Sequence, residues 1–121
     1  MRVTCIENRE VYTNVTVGKE YVVLAIEFFN SNTSFSKELG DFVAYRLRSD
    51  DGIVIPFPSN IFRITCNRMP TRWISFRESQ SDFSIVPKEW AIKYFWDKYY
   101  NDDSEILMAF KREEQLVLSE S

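Results

Sequence analysis

Runs of apolar residues separated by polar stretches predict that the first two thirds of the chain are built from β-strands. The first strand is Val3 to Ile6, and the second is residues 21–29 (YVVLAIEFF), whose β-branched and aromatic residues predict one long central strand. The twelve residues that follow, 30–41 (NSNTSFSKELGD), are nearly all polar and predict a loop. A connection of this length favours a functional role for the loop.

The clearest hairpin signal lies in residues 43–57 (VAYRLRSDDGIVIPF), which alternate between apolar and polar as far as Asp51-Gly52. An Asp-Gly pair predicts a tight turn in which both residues take positive φ. Pro56 and Pro58 place the next strand at a sheet edge or end it, because proline donates no backbone hydrogen bond. Further strands are predicted at residues 60–65, 73–76 and 83–85, the last two paired around the polar turn Glu78–Asp82.

After Pro87 the apolar period changes from two to about 3.6, and proline suits the first position of a helix. The pattern predicts a helix to about Tyr100, closed by Asn101 in the left-handed conformation. Residues 102–104 (Asp-Asp-Ser) are candidate N-caps for a second helix. That helix is predicted over Glu105 to about Glu114, and an edge strand over Gln115–Leu118.

Six of the thirteen residues in 88–100 (KEWAIKYFWDKYY) are aromatic, more than one helical stripe accommodates. Helical spacing places one apolar stripe on Ile92, Phe95, Trp96 and Tyr99. Trp90 and Tyr94 fall on nearly the opposite side. The favoured interpretation is that the sheet or the second helix covers this pair. The alternative is a partner-binding patch, because Trp and Tyr are enriched in interface hot spots.

The composition is that of a folded protein, with 45% hydrophobic and 16% aromatic residues in 121. This length predicts one domain over residues 1–121, with 1–86 mainly β and 87–121 mainly helical. The predicted fold class is α+β. It consists of a small antiparallel β-barrel or strongly bent sheet, followed by one or two C-terminal helices packed on it.

No apolar run approaches the roughly 20 residues that cross a bilayer. The N-terminal residues MRVTCIENRE lack the apolar core of a secretory signal. We therefore expect a cytoplasmic protein without membrane contact. Cys5 and Cys66 form no CxxC pair, and free buried thiols in a reducing compartment are the favoured interpretation.

The chain contains no histidine, which removes Ser–His and Cys–His nucleophile pairs and most catalytic zinc sites. Glycine-rich nucleotide loops and calcium-binding loops are also absent from the sequence. Asp50-Asp51 and residues 102–105 are acidic enough to bind a metal, but a turn and a helix cap are their favoured roles. We expect no catalytic residue, metal or cofactor, and an enzyme that uses carboxylates alone is the least favoured alternative.

The net charge is −3, with acidic residues dominating both ends of the chain and basic residues its middle. An acidic balance repels phosphate and attracts basic partners. The basic middle interleaves aromatic and aliphatic residues with four arginines, Arg63, Arg68, Arg72 and Arg77. Such a stretch is typical of single-stranded nucleic-acid binding, or else of the solvent face of strands. The negative net charge disfavours nucleic acid.

Two stretches match known motifs. TVGKEYVV (16–23) fits a T-x-G-K-x-Y-x-V entry to a strand, and YRLRSDDG (45–52) fits a Y-x-[LIV]-x-x-D-D-G hairpin. On these motifs, residues 15–65 resemble small bacterial SH3-like barrel domains, which occur in phage accessory proteins and in cytoplasmic immunity proteins of toxin systems. The resemblance implies an SH3-like first half. The second half departs from a plain barrel, and no toxin-contacting residue is carried over.

These observations favour a non-enzymatic immunity protein that blocks a cognate basic toxin, such as a nuclease, in a 1:1 complex. Acidic side chains would pair with the toxin's basic residues, and Trp90 and Tyr94 would supply apolar contact. The predicted acidic contacts are Glu38, Asp41, Asp50, Asp51, Asp97, Asp102 and Asp103. The alternative is a nucleic-acid-binding or phage accessory domain that uses Arg63 to Arg77.

Overall fold

The computed structural model describes residues 1–7, 12, 14–29, 42–78 and 83–121. Within these ranges the strands are β1 (Arg2–Cys5), β2 (Glu20–Val22), β3 (Ala25–Phe29), β4 (Phe42–Arg48), β5 (Val54–Pro58), β6 (Phe62–Cys66), β7 (Trp73–Arg77) and β8 (Phe83–Pro87). The α-helices are α1 (Phe95–Tyr100) and α2 (Ser104–Ser119), and 3₁₀ turns span Ser59–Ile61 and Lys88–Trp90. The predicted loop 30–41 and most of the predicted turn after Glu78 lie outside the described residues.

The strands form two antiparallel sheets, one in the order β2-β1-β6 and one in the order β5-β4-β3-β8-β7. The predicted α+β class is therefore confirmed. The described strands form no closed barrel, so the predicted SH3-like barrel is not confirmed. Among the described residues, no helix combines the length and apolar character that crossing a bilayer requires.

Residues 21–29 do not form one strand. The chain leaves the first sheet after Val22 and enters the second at Ala25, and both intervening residues are buried. The Val23 N–H donates to the Met1 carbonyl (3.0 Å), whereas the Leu24 N–H donates to the Arg46 carbonyl (2.8 Å). The backbone thus changes hydrogen-bonding partner between two adjacent residues, which an uninterrupted apolar run does not reveal.

The predicted hairpin is confirmed, because β4 pairs with β5 in a register that sets Arg48 opposite Val54. Gly52 takes the expected positive φ of 81°, but Asp51 does not. The loop is longer than two residues, since the Ser49 N–H donates to the Ile53 carbonyl (2.9 Å). Pro56 lies on an edge strand, as predicted. The predicted pairing of the strands on either side of Glu78 is also confirmed, as β7 and β8.

Two apolar clusters hold the elements together. The first lies among the strands and includes Val3, Leu47 and Phe57. The second packs the helical part against the five-stranded sheet and includes Val86, Trp90, Phe110 and Val117. The face of the five-stranded sheet that meets the helical part carries the site described below.

The predicted helix from Pro87 to Tyr100 is wrong over most of its length. A 3₁₀ turn ends at Trp90, and α1 begins only at Phe95, after Tyr94 in the left-handed conformation (φ 63°). Ile92, assigned to the buried stripe, is exposed. With the helix broken, Trp90 stacks on Phe110 of α2. Tertiary contacts, and not a single helical period, therefore determine which aromatic side chains are buried.

The second helix is confirmed and extends further than predicted. Asp103 is its N-cap, and its Oδ1 accepts hydrogen bonds from the Glu105 N–H (3.1 Å) and the Ile106 N–H (3.2 Å). The left-handed residue before this cap is Asp102, not Asn101. The predicted edge strand at Gln115–Leu118 is wrong, because these residues continue α2 and bury Val117.

Candidate functional site

A cleft of about 350 Å³, here called the aromatic cleft, lies between the five-stranded sheet and the segment that carries α1. Its sheet side contains Phe28 of β3, Phe76 of β7 and Phe83 of β8. Its helical side contains Trp96 and Tyr100 of α1. A concave surface with aromatic walls and few polar groups is the type of site that binds a ligand or an anchoring side chain.

A buried ion pair lies within the cleft lining. Arg46 donates to both carboxylate oxygens of Glu27, through Nε (2.7 Å) and Nη2 (3.2 Å). Its Nη1 donates to the Tyr100 hydroxyl (2.8 Å), which donates in turn to the Val54 carbonyl (2.6 Å). The guanidinium also stacks over the Trp96 ring at 3.8 Å. Arg46 therefore fixes α1 on the sheet, and its charge is neutralised by Glu27.

The hydrophobic pattern of the sequence does not predict this ion pair. Arg46 occupies a polar position in an alternating strand, which predicts a solvent-facing side chain, but α1 covers it. A signal was available in Glu27, the one charged residue in the apolar run 21–29. A lone carboxylate within a buried strand requires a buried partner, because an unpaired buried charge is costly.

Trp90 is buried and 2% exposed. Its ring stacks on Phe110 of α2 (centroids 4.9 Å apart, 10° between planes) and on Phe95 of α1 (5.6 Å). Its Nε1 donates to the Ala109 carbonyl (3.3 Å). The second helix thus covers Trp90, as the favoured interpretation held. Trp90 is not available as a surface anchor for a partner.

Tyr94 differs from Trp90, because its side chain is 55% exposed. Its N–H donates to Glu78 Oε1 (2.7 Å), which joins the segment before α1 to the end of β7. Glu78 also lines the aromatic cleft. Of the two predicted aromatic anchors, only Tyr94 lies at the surface, where its backbone contacts the cleft residue Glu78.

Three of the predicted acidic contacts, Asp97, Asp102 and Asp103, are exposed on α1 and the turn that follows it. Asp51 is exposed in the β4–β5 loop. The hydrogen bond from the Tyr100 hydroxyl to the Val54 carbonyl places the end of α1 beside the start of β5, which follows that loop. These acidic residues are therefore close in sequence to Tyr100 or to β5, but none of them lines the cleft. Glu38 and Asp41 lie outside the described residues.

Asp50 has structural partners within the fold. Its carboxylate accepts hydrogen bonds from Lys19 Nζ (2.6 Å), Thr16 Oγ1 (2.6 Å) and the Tyr21 hydroxyl (2.9 Å). These donors, Lys19 first, lower the pKa of Asp50 to about 2. The carboxylate joins the β4–β5 loop to the turn before β2, in agreement with the favoured turn role.

The four arginines of the basic middle do not form one stripe among the described contacts. Arg63 is exposed on β6 of the smaller sheet, and Arg68 is exposed in the connection that follows. Arg72 donates through Nε to the buried carboxylate of Glu113 (2.5 Å), which raises the pKa of Arg72. Arg77 lies on β7 of the larger sheet, 5.3 Å from the Phe83 ring.

Among the described residues, no group of three or more Cys, Asp or Glu side chains is arranged to hold a metal ion. The candidate site therefore consists of the aromatic cleft, its neutralised ion pair and the exposed residues Asp51, Asp97, Asp102 and Asp103, here called the acidic margin. Neither a family model, nor a curated protein, nor a solved structure matches the chain.

Proposed function

We propose that this protein is a non-enzymatic binding protein, specifically an immunity protein that covers and blocks a basic toxin domain. The observation that carries the proposal is the arrangement of α1. This helix contributes Trp96 and Tyr100 to the aromatic cleft, and Asp97 on the same helix is exposed, as are Asp102 and Asp103 in the turn after it. An apolar centre with a charged margin is the usual anatomy of a protein interface.

The two parts of this surface have different roles in the proposed mechanism. The acidic margin attracts a basic surface, which raises the association rate and selects against acidic partners. The aromatic cleft then supplies the buried contacts that slow dissociation. Trp96 and Tyr100 take the anchoring role that the sequence assigned to Trp90. Blockade is steric, and it requires no reaction by this chain.

The SH3-like relationship, the location in the cytoplasm and the 1:1 complex belong to the same proposal. The β4–β5 hairpin, with Gly52 at positive φ, supports the resemblance on its most specific motif. A complex of standard size buries on the order of 1,600 Å² in total. The cleft and its margin together offer a centre for such an interface.

Co-expression with the protein encoded beside this gene tests the proposal. We expect the chain to restore growth of cells that produce that protein, and the two purified proteins to bind more weakly as salt is raised. The single variant Asp97→Lys should lower the association rate by about threefold or more. Glu20→Lys, a charge reversal on β2 of the smaller sheet, is the matched control.

An adjacent gene product that neither harms cells nor binds this chain would refute the immunity role. Equal loss of binding in the Glu20→Lys control would refute the assignment of the acidic margin. The arginine-based alternative stays a prediction. The contacts give it no specific support, because Arg72 is paired with Glu113, Arg63 and Arg77 lie on different sheets, and Arg68 lies in the connection after β6.

A further inference from the structure

Of the described strands, β2, β5, β6 and β7 lie at the edges of the two sheets, and the first three are protected against further pairing. β2 has only three residues, and β5 contains Pro56 and Pro58. In β6, Thr65 has no counterpart in the register with β1, which makes a bulge. Short strands, prolines and bulges are common means by which proteins protect a sheet edge. β7 has none of these three features.

The open edge of β7 can be located from its hydrogen bonds to β8. Beside β7, the Lys88 N–H donates to the Arg72 carbonyl (2.9 Å). Because the bonding direction alternates along an antiparallel strand, the backbone groups of Ile74 and Phe76 also point towards β8. The N–H and C=O of Ser75 therefore point away from β8. Ser75 is exposed, and among the described residues no hydrogen bond outside the β7–β8 ladder reaches either of these groups.

The sequence of this edge is complementary to itself. In an antiparallel pair of two β7 strands about a two-fold axis at Ser75, the two Ser75 residues face each other and exchange both backbone hydrogen bonds. The same register sets Ile74 opposite Phe76 of the second copy. These two side chains lie on the face that carries the aromatic cleft, since Phe76 lines the cleft. On the other face, Trp73 lies opposite Arg77 of the second copy.

Two properties of this register favour a second copy as the occupant of the edge. Ile74 is 40% exposed in the single chain, and the pairing covers it with an aromatic ring, a favourable cross-strand contact. Arg72 precedes β7 and Glu78 follows it, so each Arg72 lies opposite Glu78 of the second copy. The Arg72 side chain is 39% exposed although its Nε donates to Glu113. A shift of the register by two residues removes both matches.

We infer that two copies of this chain associate through antiparallel pairing of their β7 strands about Ser75. The pairing joins the two five-stranded sheets into one sheet of ten described strands. This inference goes beyond the proposed immunity function and does not depend on it. A dimer that holds one toxin on each subunit keeps the 1:1 ratio of that proposal.

Sedimentation of the purified chain over a concentration series tests the inference, because a dimer has twice the 14.4 kDa mass of the chain. Ser75→Pro removes the N–H that crosses between the copies but removes no bond to β8, and proline is tolerated on edge strands. This variant should raise the dissociation constant of the dimer about tenfold or more. Ser75→Ala keeps the N–H and is the matched control, which should dimerise as the unaltered chain does. A thermal melt of each variant reports folding.

Ile74→Lys tests the side-chain contact and decides the matter should the proline variant not fold. The side chain of Ile74 is already exposed, so the fold should tolerate the change. The apolar contact with Phe76 of the second copy occurs twice by symmetry. Its loss should therefore also weaken the dimer about tenfold or more.

The register is tested by Ser75→Cys in a Cys66→Ser background. Residues that face each other in a hydrogen-bonded antiparallel pair have Cα atoms about 5.5 Å apart, which a disulfide spans. Mild oxidation should therefore crosslink this variant. Arg77→Cys in the same background is the control. In the inferred register the two copies of position 77 are more than about 13 Å apart, and no crosslink should form.

A chain that sediments as a monomer up to about 1 mM would overturn the inference. A dimer that survives both Ser75→Pro and Ile74→Lys, or that crosslinks at position 77 and not at position 75, would also overturn it. A monomer whose folded Ser75→Pro variant no longer protects against the toxin would replace the second copy with a strand of the toxin. A dimer of a chain that protects against no neighbouring gene product removes the immunity role alone.

Discussion

Glu27 and Glu113 are both buried carboxylates that bind an arginine, but the two arginines differ in their access to water. In the aromatic cleft, the side chains of Glu27 and Arg46 are 11% and 8% exposed. On α2, the side chain of Glu113 is fully buried, whereas the side chain of its partner Arg72 is 39% exposed. One pair is therefore closed on both sides, and the other is open on the arginine side.

This difference determines what each pair does for the fold. The closed pair has given up hydration of both charges, so each member depends on the other for compensation. In the open pair, Arg72 retains contact with solvent, and Glu113 also accepts the Glu89 N–H (2.9 Å). The closed pair fixes the site geometry, while the open pair anchors α2 to the turn that precedes α1.

The largest effect is expected when the closed pair is broken. Glu27→Gln leaves the Arg46 guanidinium buried without a counter-charge, so the free energy of unfolding should fall by roughly 3–5 kcal/mol. Urea unfolding measures this loss. The double variant Glu27→Met, Arg46→Met should recover much of it, because it leaves no buried charge. A double variant as unstable as the single one would contradict the comparison.

A smaller effect is expected in the open pair. Glu113→Gln keeps an amide oxygen that can accept the Glu89 N–H, and the exposed side of Arg72 lets its guanidinium turn to water. The free energy of unfolding should fall by about 1.5–3 kcal/mol, the cost of one charge-assisted hydrogen bond. Urea unfolding under the same conditions gives a direct comparison. A loss equal to that of Glu27→Gln would show that access to solvent does not separate the pairs.

The hydroxyl that joins α1 to the closed pair provides a third test. Tyr100→Phe removes the acceptor of Arg46 Nη1 and the donor to the Val54 carbonyl. We expect a loss of about 1 kcal/mol in the free energy of unfolding. The control is Tyr99→Phe, because the Tyr99 hydroxyl makes no hydrogen bond with the described residues. Equal losses in the two variants would mean that the hydroxyl link contributes nothing specific.

The parts of the fold that the sequence predicted are those specified by local chemistry. Asp51-Gly52 predicted the β4–β5 hairpin because glycine tolerates positive φ. Residues 102–104 predicted the start of α2 because side-chain oxygens satisfy free N–H groups there, and Asp103 is the residue that does so. Pro56 predicted an edge strand for a similarly local reason. None of these signals depends on residues far along the chain.

The parts that the sequence did not predict depend on distant contacts. The break before α1 requires Tyr94 in a conformation that non-glycine residues disfavour, and stacking of Trp90 on Phe110 accompanies it. The change of sheet after Val22 depends on hydrogen bonds to Met1 and Arg46. The candidate site belongs to this second class, since Arg46 is buried only because α1 packs over it.

The smallest effect on the free energy of unfolding is expected for Asp50, a carboxylate at the surface. It extends the comparison beyond the two buried ion pairs. The pKa of Asp50 falls from its usual 3.8 to about 2 because Lys19, Thr16 and Tyr21 donate to its carboxylate. A lowered pKa in the folded state stabilises the fold above pH 3.8, and this contribution is lost as the pH falls towards 2. Asp50→Asn lacks it. The urea midpoints of the two proteins should therefore differ at neutral pH and converge between pH 3.8 and about 2. A difference that persists unchanged at the acid end would show that the carboxylate charge is not the stabilising element.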